Sequence, residues 1–143
     1  MEIKKASKLG AKDNAVFLIS SEKDISPKNF SKEEISFIKK EIKAEHKQVE
    51  INRLTNIVYV VLLGKDIDYK ASEKARIAAS VLVTTLNKAK IKAISIVSEL
   101  ELTGAFIEGI ALANYQFLKY FSDKKTNTLG DVKVLGNIKS NVI

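Results

Sequence analysis

Seven consecutive residues, Ile57 to Leu63 (IVYVVLL), are apolar or aromatic at every position. A strand with one wet face alternates apolar and polar side chains, so an unbroken run of this kind needs cover on both faces. That predicts a central strand with helices on either side. The run is far too short to cross a membrane as a helix.

The neighbouring segments fit around that strand. Val49 to Leu54 precedes it, separated by Thr55-Asn56, and two β-rich runs joined by two residues predict a hairpin, with Asn56 able to take positive φ. Ala15 to Ser20 and Ile91 to Val97 read as further strands, and Val132, Val134 and Ile138 suggest a last one. Between them the period becomes helical. Ser31 and Glu34 have capping-box spacing, with Phe30 and Ile35 at the staple positions and Ile35, Ile38 and Ile42 on one face. From Asp68 to Lys90, Ala71, Ala75, Ala78, Leu82, Leu86 and Ala89 form a stripe whose small residues allow close approach to the sheet. Thr103 is the expected cap of a helix reaching Phe121, with Phe106, Ile110, Ala113, Phe117 and Phe121 on its main face. Gly109 inside this helix, at about 1 kcal/mol relative to alanine, points to tight packing. Strands and helices alternating in this way predict a single α/β domain over residues 1–143, a three-layer α/β/α sandwich with a mixed sheet.

Composition narrows the function. Hydrophobic residues make up 45% and charged residues 29% of the chain, which suits a folded soluble domain and excludes a disordered one. There is no cysteine, hence no disulfide or thiolate ligand. Met1 to Lys5 lacks the apolar stretch of a signal peptide, so cytoplasmic residence is expected. The formal charge of +7 raises nucleic acid as a partner, but the lysines are dispersed and Arg53 and Arg76 are the only arginines. A solvated lysine-rich surface is the expectation, with DNA or RNA binding as an alternative.

Catalytic signatures are missing. His46 is the single histidine and stands among Lys43, Glu45 and Lys47 at the polar end of the first helix, which is the setting of a solvated residue. Zinc sites of the usual kinds need several histidines or cysteines. Asp66 and Asp68 follow a strand end and Gly64, where open α/β sheets place binding sites, although Asp68 also suits a helix cap. Glu99 and Glu101 could join Asp66 around a hard cation. Gly64 and Gly104 belong to no Gly-rich phosphate loop. Tyr115 and Tyr120 lie partly off the main apolar face of their helix and are the candidate domain or subunit interface.

The stretch Glu108 to Lys125, EGIALANYQFLKYFSDKK, resembles the end of the N-terminal domain of the leucyl (cytosol) aminopeptidase family. Its Glu108-Gly109 pair, the small and apolar residues Ile110 to Ala113, Tyr115-Gln116-Phe117, Tyr120 and Lys124-Lys125 follow the family's order. Upstream, VVLLGK (Val60 to Lys65), the alanine-rich helix, IKAISIV and an acidic loop follow in sequence, so the similarity runs from Ile57 to Val134. The resemblance implies a macro-domain-like sandwich placed ahead of a larger catalytic domain. It also implies that the two divalent metal ions and the catalytic residues lie in that C-terminal metallopeptidase domain, outside these 143 residues. No catalytic residue, metal ligand or cofactor is therefore expected in this chain. The apolar finish Asn141-Val142-Ile143 reads as a cut through a longer protein. The implied role is assistance to assembly or active-site access in a hexameric enzyme, with the catalytic domain of the same polypeptide as partner. The alternative is a stand-alone macro-like module binding a nucleotide-type ligand or nucleic acid.

Overall fold

The computed structural model describes residues 2–6, 9–10, 13–120 and 129–136. Among these residues six strands form one sheet: β1 (Glu2–Lys5), β2 (Ala15–Ile19), β3 (Gln48–Asn52), β4 (Ile57–Leu62), β5 (Ala93–Ser98) and β6 (Asp131–Gly136). Their spatial order is β1-β6-β5-β2-β4-β3, and only the β3–β4 pair is antiparallel. The described residues also form three α-helices: α1 (Lys32–Lys43), α2 (Tyr69–Lys88) and α3 (Thr103–Tyr120). The mixed sheet of an α/β sandwich is what the alternating pattern predicts.

The apolar run of β4 is covered on both faces. Val58 and Val60 pack with Phe17, Phe30 and Ile38 on the α1 side. Tyr59 and Val61 pack with Leu82, Leu86 and Phe106 on the side of α2 and α3. The hydroxyl of Tyr59 is buried beside the Glu50 carboxylate, without a hydrogen bond of full geometry. Burial, and then the charge of Glu50 opposite it across the β3–β4 ladder, push its pKa up. A buried hydroxyl whose one hydrogen bond is poorly formed is destabilising, so Tyr59→Phe is expected to raise stability by about 1 kcal/mol. Urea melts of the two proteins measure it; a loss of similar size would show that the hydroxyl is satisfied in solution.

The capping box of α1 forms as its spacing predicts, with Ser31 Oγ accepting from the Glu34 N–H and Glu34 Oε1 from the Ser31 N–H. Glu34 has a further partner. Arg53 donates to both its carboxylate oxygens at 2.8 Å and to Asn29 O at 2.7 Å, with its guanidinium 5.6 Å from the Phe30 ring centroid. These Arg53 bonds, ahead of every other cause, hold the Glu34 carboxyl below its ordinary pKa. A depressed folded-state pKa gives stability that is complete above the unfolded value and is lost as pH falls through the folded one. Below about pH 5 the wild type is therefore expected to lose stability more steeply than Glu34→Gln, as thermal melts across that range would show.

Several local expectations are corrected. The β3–β4 connection has four residues, with φ +73° at Leu54, while Asn56 is buried and donates from Nδ2 to Asp13 O. Thr103 does not cap α3; its hydroxyl donates to Leu100 O at 2.6 Å and is tied to Ser98 Oγ. In α2 the buried stripe runs through Ala79 and Val83, with Ala78 half-buried and Ala89 exposed as the C-cap. Its small residues face α3 as well as the sheet. A Cβ on Gly109 would stand 2.7 Å from Arg76 Cα and 2.9 Å from Ala79 Cβ, so the tight contact made by this glycine is with a helix. Two buried asparagines complete this layer, Asn87 Oδ1 accepting from Leu129 N–H and Asn114 Nδ2 donating to Leu129 O. Ile138, Phe121 and the side chain of Phe117 lie outside the described residues.

Candidate functional site

The parallel strands β2, β4 and β5 end on one side of the sheet, where ligands of open α/β proteins bind. β2 is followed by the turn Ser20–Asp24, β4 by Leu63–Asp68 and β5 by Glu99–Leu102. A crevice of about 220 Å³ opens between the ends of β2 and β5, walled by Phe17 and Phe30 with Asp24, Asn29, Ser98 and Glu99 at its polar side. A second, of about 270 Å³, lies beyond β4 and contains Gly64, Asp66, Asp68, Lys70 and Lys74.

The polar groups of the first crevice are largely committed to the fold. Asp24 Oδ2 accepts from the Ser20 N–H at 2.7 Å and the Ser20 hydroxyl at 2.5 Å, and these bonds hold its carboxyl below the usual pKa. Ser98 Oγ also accepts from the Leu100 N–H at 3.1 Å, so the turn into α3 is locked by its own hydroxyls. In the second crevice Asp68 caps α2 by accepting from the Ala71 N–H at 2.8 Å. Gly64, at φ +84°, makes the turn out of β4.

The acidic candidates do not converge. Glu99 belongs to the first crevice and Asp66 to the second, while Glu101 is exposed. Among the described residues no group of three histidine, cysteine or acidic side chains could hold a metal ion. His46 is bonded back onto its helix, its N–H to Glu41 O at 3.0 Å and its ring paired with the Glu41 carboxylate. The preceding Glu45 takes φ +68° to close this end of α1. The His46 side chain is 61% exposed, as a solvated residue would be. Tyr115 and Tyr120 belong to α3, but their side chains lie outside the described residues.

The Glu108-Gly109 pair acquires a physical role. Gly109 brings the backbones of α2 and α3 together, and Glu108 beside it accepts from Arg76 Nη2 at 3.2 Å across the same seam. Arg76 also holds Glu73 at 2.7 Å. Sequence reasoning anticipated tight packing at Gly109 but not Arg76, because nothing local to α2 marks its partner 32 residues away.

No family model and no curated protein matches the chain. Among solved structures it is similar to a tomato leucine aminopeptidase variant, with a TM-score of 0.64 and 13% identity. The likeness is one of fold. It covers 99% of this chain and 34% of the aminopeptidase, so the chain spans about a third of that protein's length. Among the described residues no helix is long and apolar enough to cross a membrane.

Proposed function

We propose that this chain is the non-catalytic N-terminal domain of a leucyl aminopeptidase-like metallo-exopeptidase, assisting its assembly or access to its active site. The observation that carries this reading is the alignment of 99% of the chain with a third of a leucine aminopeptidase. A whole-chain match to a fraction of an enzyme is what a separable domain produces. The Glu108-Gly109 pair, part of the resemblance in sequence, adds support because it occupies a close contact between two core helices. On this reading the two divalent metal ions and the peptidase chemistry belong to a catalytic domain of the same polypeptide. The parent enzyme is then a cytoplasmic homo-hexamer, and Tyr115 and Tyr120 are candidates for contact with its other parts.

Two measurements test the proposal. The purified chain, supplied with manganese or zinc, is expected to release no chromophore from leucine p-nitroanilide; turnover that co-purifies with the chain would refute a non-catalytic role. The reading frame after Ile143 is expected to continue into a metallopeptidase domain, and a stop codon there would overturn the parent assignment.

A further inference from the structure

A crevice of about 420 Å³ opens at the end of the sheet opposite the two described above, with β5 as its floor. Ile94 and Ile96 belong to the core under α2 and α3, so alternation turns Ala93 and Ser95 to the other face. On that face the α1 cluster draws on β2, β3, β4 and the far end of β5, and on no residue of β6. Short side chains make the hollow. Ser95 stands in register between Ala15 of β2 and Lys133 of β6, and Ala93 stands beside Asp131. Asp13 and Asn14 border it from the start of β2, Lys90 and Lys92 from the turn between α2 and β5.

Ser95 is the residue that packing leaves unexplained. It is 2% exposed and its N–H donates to Asn14 O, yet its hydroxyl has no hydrogen-bond partner among the described residues. A hydroxyl held there costs stability that alanine at the same place would not. The charges around it are also uncommitted. Lys133 and Asp131 lie two residues apart on one face of β6, about 7 Å along the strand, and their side chains pair with no described residue. The same holds for Lys90 and Lys92, while Asp13 accepts from the Gly10 N–H at 2.9 Å. Both signs therefore face the crevice. A simple anion would meet Asp13 and Asp131, and a simple cation the three lysines; a ligand carrying both charges escapes either repulsion. We infer that this crevice binds a small zwitterion of the amino-acid or dipeptide kind, its carboxylate against Lys133 and the Ser95 hydroxyl, its ammonium against Asp131. The inference stands apart from the aminopeptidase reading.

L-Leucine and the dipeptide Leu-Gly are the probes, with leucinamide and N-acetyl-leucine as controls that each keep one charge. Calorimetry on the whole chain is expected to show saturable binding of at least one probe, at least tenfold tighter than of either control. The tighter of the two probes tells a free amino acid from a dipeptide. NMR shifts on titration should fall on the Ala93, Ser95, Asp131 and Lys133 amides. Ser95→Ala should weaken binding at least tenfold without lowering the melting midpoint, because the lost hydroxyl has no partner in the described protein. Lys133→Gln and Asp131→Asn, both at exposed positions, should do the same, and Lys40→Gln on α1 should change nothing. No saturable binding of either probe, controls that bind as well as the probes, or binding indifferent to Ser95→Ala or to Lys133→Gln would overturn the inference. So would shifts confined to another part of the chain.

Discussion

Gly109→Leu is expected to prevent folding, and Gly109→Ala to destabilise the domain by about 2 kcal/mol. Alanine in a helix gains about 1 kcal/mol over glycine, so propensity alone predicts stabilisation. Packing opposes it. The added Cβ would meet Arg76 Cα at 2.7 Å and Arg76 O at 2.8 Å. Both are backbone atoms and cannot rotate away, so α2 and α3 must separate along a seam that Ala79 and Ile110 help to fill. Leucine adds three more carbons to the same clash, enough to place the loss among the exceptional values above about 4 kcal/mol. Glu108→Gln, one residue earlier but exposed, should leave the melting midpoint almost unchanged. Denaturant melts of the three variants decide the matter. If Gly109→Ala proves more stable than the wild type, the two helices do not touch there.

The contrast between Gly109 and β4 shows which parts of this fold were legible in the sequence. The run Ile57 to Leu63 states its environment by composition, because each large side chain needs cover wherever the rest of the chain goes. The capping box of α1 is equally local, since Ser31 and Glu34 are three residues apart. Strand β1 is different. Glu2, Ile3, Lys4 and Lys5 carry no apolar period, and they become a strand only through parallel pairing with β6, more than 120 residues later. For the hairpin, the sequence pattern specifies the β3–β4 pairing but not the turn. Asn56 was the residue suited to positive φ, yet it is anchored to Asp13, and the conformation falls on the exposed Leu54.

The candidate site was less legible, for a related reason. Asp66, Glu99 and Glu101 share only a position after strand ends, and position after a strand does not specify which crevice a side chain enters. The fold separates Asp66 from Glu99, and it commits Asp68 and Asp24 to backbone and hydroxyl donors. In sequence, Arg53 carries no mark beyond being one of two arginines. Its bonds to Glu34 and Asn29 join the hairpin to α1 across 19 and 24 residues, a separation that no periodicity records.

Phe106→Ala is expected to lower stability by about 3–5 kcal/mol, the range for truncating a buried phenylalanine. Phe106 is completely buried in the cluster formed by α2, α3 and the sheet, together with Leu82, Ile96, Ile110 and Val134. Its ring leaves a space that the rigid strands beneath cannot close, so the cavity adds to the lost transfer free energy. Domains of this size hold together by roughly 5–15 kcal/mol, which makes the loss a large share of the total. In a thermal melt it corresponds to a fall of roughly 10–17 °C in Tm. Phe37→Ala supplies the comparison, because Phe37 is 44% exposed on the outer side of α1 and its truncation should shift the midpoint far less. The test also bears on the role of α3. Phe106 ties this helix to the sheet and Gly109 ties it to α2, while Leu112 is 55% exposed. If Phe106→Ala proves as mild as Phe37→Ala, α3 is not anchored through this residue and its assigned place in the core is wrong.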